Sequence, residues 1–189
     1  MDSCSTIVIL GKGTVGKTSL IYRFINNMCP KEHDPTLEEI YTISITTGNG
    51  EQREFKILDT AGEEDYNNMI DEWINNANGF ILVFAINDEE GFETVKKYVE
   101  RINKKKNKIE GLPLILVGNK CDLENERKVS KEDAMNYAKM LGTEYYETSA
   151  LTDQNGNCKT VFQECAFKII NSSNKNEKSE SKCLKCSIF

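Results

Sequence analysis

Residues 11–18 read Gly-Lys-Gly-Thr-Val-Gly-Lys-Thr and fit the pattern G-x-x-x-x-G-K-[ST]. That spacing is suited to gripping a chain of phosphates. The glycines let the backbone wrap closely around an anion, with successive N–H groups pointing inward. Lys17 has the length to reach the β- and γ-phosphates, and the Thr18 hydroxyl suits Mg²⁺. Phosphate contacts are expected from Gly13, Thr14, Val15, Gly16, Lys17, Thr18 and Ser19. The apolar run Thr6–Leu10 precedes the loop and reads as a buried strand. A helix predicted over 17–27 follows, and its positive N-terminal end faces the phosphates.

Three later segments carry compatible chemistry. Asp59-Thr60-Ala61-Gly62 follows a predicted strand. Asp59 is placed to hold the metal opposite Thr18, and Gly62 brings an N–H close to a terminal phosphate. Asn119-Lys120-Cys121-Asp122 follows another strand. The Asp122 carboxylate accepts from guanine N1–H and the 2-amino group, donors that adenine lacks, which disfavours an ATP-using enzyme. Lys120 is expected along one face of the base. Ser149, Ala150 and Leu151 follow the last strand and are expected to offer a backbone N–H to guanine O6. In the linker between the first helix and the second strand, Thr36 supplies a second hydroxyl to the metal when a γ-phosphate is present.

These segments need a scaffold that brings strand ends together. Strands are predicted over 6–10, 40–45, 55–58, 79–85, 112–117 and 144–148. Helices are predicted over 17–27, 66–76, 91–106, from a capping box at Ser130–Asp133 to Leu141-Gly142, and over 159–170. Thr47-Gly48-Asn49-Gly50 signals a hairpin. The alternation implies a three-layer α/β fold with a mostly parallel sheet. In such sheets ligands sit beyond the carboxyl ends of the strands, where each segment above falls.

Composition narrows the class. The 189 residues carry a net charge of −6, with seven scattered cysteines. No apolar run approaches the length of a membrane span, and the N-terminus opens neither a signal peptide nor a myristoylation site. The cysteine pattern fits free thiols in a reducing compartment. Five lysines and two glutamates give residues 168–189 a charge of +3, which leaves −9 on residues 1–167. An acidic body with a basic tail argues against nucleic acid and for an anionic membrane surface.

In order, Gly11–Thr18, Asp34-Pro35-Thr36, Asp59–Gly62, Asn119–Asp122 and Ser149-Ala150 resemble the Ras-type small GTPase superfamily. The resemblance covers about residues 5–170 plus the last four. It implies a P-loop fold with a six-stranded sheet, one strand antiparallel, and about five helices. It also implies a GDP/GTP switch with Mg-dependent hydrolysis that is slow without an activating protein. Effectors engage residues 33–41, and an exchange factor acts on a monomer. Phe84-Ala85-Ile86-Asn87 looks like the Ras branch. Glu64-Asp65-Tyr66 and Ser149-Ala150-Leu151 look like the Rho branch, but the Rho insertion between Asp122 and Ser130 is missing, so the Ras branch is favoured.

Several positions depart from the family pattern. Glu63 stands where glutamine usually orients the attacking water. A carboxylate accepts from that water but has no amide N–H to donate, so activator-stimulated hydrolysis is expected to suffer. The catalytic set is Glu63, Lys17, Thr36 and Gly62. His33 stands where tyrosine is common and reads as a solvated loop residue. None of Arg23, Arg53, Arg101 and Arg127 is placed to reach a γ-phosphate. The alternative to a regulated switch is a largely GTP-loaded effector-binding module with fast exchange. Mostly GDP on the purified protein favours the switch; mostly GTP favours the module.

Residues 1–170 are read as the nucleotide-binding domain and 171–189 as a disordered tail. The ending Cys186-Ser187-Ile188-Phe189 is a C-a-a-X signal, and its terminal Phe favours geranylgeranyl at Cys186. A second membrane signal is expected from the tail lysines and from palmitoylation at Cys183. The implied location is the cytoplasmic face of the plasma membrane.

Cys29 occupies the spacing at which the family places a phenylalanine against the base. Loss of stacking worth about 1–3 kcal/mol predicts GDP release on the order of 10–100-fold faster than with the aromatic. Cys29→Phe is therefore expected to slow release of a fluorescent GDP. An unchanged rate would refute the assignment.

Overall fold

The computed structural model describes residues 4–29, 38–46, 50, 52–62, 67–153 and 156–185. His33, Asp34, Pro35, Thr36, Glu63, Glu64, Asp65, Tyr66 and Cys186 lie outside the described residues, as does most of the 47–50 hairpin signal.

The strands are β1 (Ser5–Leu10), β2 (Glu38–Thr46), β3 (Gln52–Thr60), β4 (Gly79–Ala85), β5 (Leu114–Asn119) and β6 (Glu144–Glu147). The helices are α1 (Lys17–Asn26), α2 (Asn67–Asn76), α3 (Glu89–Lys106), α4 (Lys131–Leu141) and α5 (Asn157–Lys185), with a 3-10 helix over Cys121–Glu126. Strand order is β2-β3-β1-β4-β5-β6. Among the described residues only the β2–β3 pair is antiparallel, with Ile40 opposite Leu58; the other four pairs are parallel.

Side-chain alternation divides the core into two slabs. Val8 and Leu10 of β1, Phe80, Leu82 and Phe84 of β4, and Leu114 and Leu116 of β5 point to one face. There they meet Trp73 and Ile74 of α2, Phe92 and Val95 of α3, and Ala134 and Ala138 of α4. Ile7 and Ile9, Ile81 and Val83, and Ile115 and Val117 point to the other face. They meet Leu20 and Ile21 of α1 and Val161, Phe162 and Cys165 of α5. Phe24 stacks on Phe162 at 4.4 Å between centroids, joining the two helices of that slab. The central strands are apolar throughout because helices cover both faces.

The ends of α4 match the local signals in the sequence. Ser130 is the N-cap, and its Oγ accepts from the Asp133 amide at 3.0 Å. The return leg differs from the usual box, since the Ser130 hydroxyl donates to Asp133 Oδ2 at 2.6 Å. Gly142 ends the helix at φ +68°, its amide bonded to the carbonyls of Ala138 and Lys139.

The last helix differs from expectation. α5 runs to Lys185, through the 171–182 stretch expected to be disordered. No proline or glycine occurs from Asn157 to Phe189, so no residue forces the helix to stop. Ile169 is the last α5 residue in the buried core among the described residues.

β1 has β3 on one side and β4 on the other. The sequence order of the sheet therefore reverses at β1, and the crevice beyond its carboxyl end receives the loop 11–16.

Candidate functional site

The phosphate loop leaves β1 at Leu10 and enters α1 at Lys17. Gly16 takes φ +93° at the helix N-cap. A Cβ there would also lie 2.5 Å from Asn119 Nδ2, so glycine serves both the turn and the close approach. Thr14 also has positive φ and its side chain is exposed, whereas Val15 is buried. Ser19 is half-buried in the first turn of α1.

Lys17 is buried, and its Nζ donates to the carbonyls of Gly11 at 3.0 Å and Lys12 at 3.2 Å. Burial lowers its pKa to about 8, against the opposing pull of Asp59. Asp59, at the end of β3, is fully buried. Thr18 Oγ1 donates to Asp59 Oδ2 at 2.6 Å. The metal-site expectation for Thr18 and Asp59 thus corresponds to two oxygens brought together from α1 and β3.

Gly62 also lies against the loop. The Gly13 amide donates to the Gly62 carbonyl at 2.9 Å. A Cβ on Gly62 would lie 2.2 Å from Gly13 N, so no larger residue fits there.

The residues expected to recognise the base gather around the ends of β5 and β6. Asn119 is buried, with Nδ2 donating to the Val15 carbonyl at 2.8 Å. Its Oδ1 accepts from Thr148 Oγ1 at 3.0 Å. The Cys121 amide donates to the Thr148 carbonyl at 3.0 Å, closing the two loops on each other. Lys120 sits at φ +62° ahead of the 3-10 helix, and Asp122 is exposed on that helix. Ser149 and Ala150 are buried, whereas the Leu151 side chain is 64% exposed. A cavity of about 400 Å³ opens here, lined by Cys121, Asp122, Thr148 and Ser149 among others. Cys29 is half-buried just beyond α1.

Two side chains, Lys12 and Arg23, make contacts that the sequence reading does not anticipate. Lys12 Nζ pairs with Asp88 at 3.2 Å and Glu90 at 2.7 Å, tying the loop to the start of α3. Arg23 Nε donates to the Ala150 carbonyl at 2.7 Å and Nη2 to the Leu151 carbonyl at 2.5 Å. A basic residue in the last turn of a helix signals a bond to a terminal carbonyl, and Arg23 Nη1 does reach Asn27 O at 2.9 Å. No local signal foretells partners 127 residues away.

A phosphate loop at the switch point of a parallel sheet, with a carboxylate and a hydroxyl converging beneath it, defines a nucleotide-binding α/β protein. Residues 6–171 match the family model described as "Ras family". Protein ras-1 of Neurospora crassa is 42% identical over 149 residues, covering 79% of this chain and 69% of that one. The chain belongs to the Ras family, and it is a small GTPase: a guanine-nucleotide-binding GTP hydrolase that acts as a switch.

The lowered pKa of Lys17 has a pH signature. The cost of burying its charge, about 3 kcal/mol, is fully present below pH 8 and fades toward pH 10.5, where the unfolded chain also loses the proton. A phosphate bound beside Lys17 would restore the ammonium. GDP binding to nucleotide-free protein should therefore take up a proton above about pH 8, and affinity should fall as pH rises from there. Calorimetry in buffers of different ionisation enthalpy measures this. Wild type should show the uptake and Lys17→Gln should not; no uptake in wild type would contradict the assignment.

Proposed function

We propose that the chain is a membrane-tethered switch in which residues 13–19 and Gly62 hold the phosphates, while Asn119, Lys120, Asp122 and Ser149–Leu151 hold guanine. The observation that carries this reading is the 2.6 Å contact of Thr18 with buried Asp59, next to the buried Lys17 ammonium. A hydroxyl and a carboxylate are hard oxygen donors of the kind that Mg²⁺ takes. Thr18, Asp59 and Thr36 would hold the ion, which when bound neutralises charge on the β- and γ-phosphates.

The chain's own groups supply the rest. Lys17 holds negative charge at the transferring phosphate. Glu63 accepts a hydrogen bond from the attacking water and orients it. Because Glu63 has no N–H for the developing charge, hydrolysis is slow alone and responds weakly to an activating protein. Thr36 orders its loop in the GTP state only, which changes the face that effectors meet at residues 33–41. Support comes from β2, the edge strand of the sheet, on which Glu38, Glu39 and Ile40 are exposed. An edge strand offers unpaired backbone groups to a partner.

Residues 1–170 form the nucleotide-binding domain and 171–189 the tail. Geranylgeranyl at Cys186, palmitate at Cys183 and Lys175, Lys178, Lys182 and Lys185 together tether the tail to the cytoplasmic face of the plasma membrane. No described helix is long and apolar enough to cross a membrane.

Single-turnover GTP hydrolysis, with and without an activating protein, tests the switch. Wild type should turn over slowly with little stimulation, and Glu63→Gln should gain stimulation of tenfold or more. Equal stimulation of both proteins would overturn the role given to Glu63, and no hydrolysis in either would overturn the switch.

A further inference from the structure

Arg23 binds three backbone carbonyls on two separate segments. Nε and Nη2 take Ala150 and Leu151 at 2.7 and 2.5 Å, and Nη1 takes Asn27 at 2.9 Å. Asn27 sits at φ +55° as the C-cap of α1, two residues before Cys29. Ala150 and Leu151 belong to the turn that presents backbone N–H groups after β6. The guanidinium therefore ties the end of α1, two residues before Cys29, to the turn read as part of the base site.

Among the described residues, the turn's other hydrogen bonds are made within its own neighbourhood. The Thr152 amide donates to Ser149 Oγ at 3.1 Å, and the Asp153 amide donates to the Ser149 carbonyl at 2.8 Å. The Cys158 amide donates to Asp153 Oδ1 at 3.1 Å. Those bonds shape the turn; Arg23 fixes it against α1, the helix that begins at the phosphate loop. Charge-assisted bonds from a planar fork are both stronger and more directional than neutral ones. With these carbonyls fixed, the 150–151 and 151–152 peptide planes are fixed; the Thr152 N–H is already bonded to Ser149 Oγ, so the free consequence is a fixed direction for the Leu151 N–H.

We propose that Arg23 is a positioning residue for guanine recognition: it aims the backbone N–H of the Ser149–Leu151 turn at the base O6 and so sets the rate of nucleotide release. The proposal rests on the reading of that turn as part of the base site.

The experiment compares release rates of GDP and of 2-aminopurine riboside 5′-diphosphate, which lacks O6, from the full-length chain. The variants are wild type, Arg23→Ala, Arg23→Lys and Asp122→Asn. Arg23→Ala should accelerate GDP release about tenfold or more yet change release of the O6-less analogue less than about threefold. Arg23→Lys should recover only part of the loss, because one ammonium cannot replace the three-way fork. Unchanged GDP release in Arg23→Ala, or equal acceleration for both nucleotides, would overturn the proposal; the latter marks a general loosening of the fold. Asp122→Asn reports separately on the base site. A shift of preference from guanine to xanthine supports that reading, and unaltered guanine preference would overturn it and the proposal with it.

Discussion

The buried amide of Asn119 joins the phosphate loop to the end of β5 and to the residue that follows β6. Its Nδ2 holds the Val15 carbonyl and its Oδ1 is held by Thr148. Gly16 is confined by the same amide, since a Cβ there would meet Asn119 Nδ2. The three segments come from distant parts of the chain, and each would otherwise leave a polar backbone or side-chain group without its bond. Leaving one such buried group unmade costs about 1–3 kcal/mol. The phosphate end and the base end of the site are therefore one hydrogen-bonded unit, set on the carboxyl ends of strands whose order reverses at β1.

The energetics of the phosphate end favour an anion. Burying Lys17 works against folding, and its two carbonyl partners offset only part of the loss of hydration. Asp59 is buried beside it, bonded to Thr18. A cation and a carboxylate buried close together at the end of a sheet are typical of a functional centre. The ion pairs of Lys12 at the loop's outer edge contrast with this. They lie at the partly exposed surface, where solvent and salt screen them.

Much of this was legible in the chain because the signals are local. The all-apolar run 79–85 predicts β4 with the bounds it has, since a strand covered on both faces needs no polar alternation. Ser130 and Gly142 bracket α4 through bonds made within four residues. Thr18 and Asp59, expected on either side of one metal ion, stand in direct contact. What escaped is non-local or has no stop signal. Arg23 reaches carbonyls whose positions depend on the whole sheet. The end of α5 lacks both proline and glycine, so composition alone suggested disorder where the backbone stays helical to Lys185. The bond from the Gly13 amide to the Gly62 carbonyl depends on peptide orientation, which residue type does not encode.

The central claim is that Thr18 and Asp59 form the metal end of a guanine-nucleotide site. The most direct measurement is the rate of fluorescent GDP release from the purified chain with excess Mg²⁺ and with excess chelator, for wild type and Asp59→Ala. Chelation should accelerate release at least tenfold in wild type and have little effect on Asp59→Ala, which should already release quickly. A wild-type rate indifferent to the chelator would contradict the account.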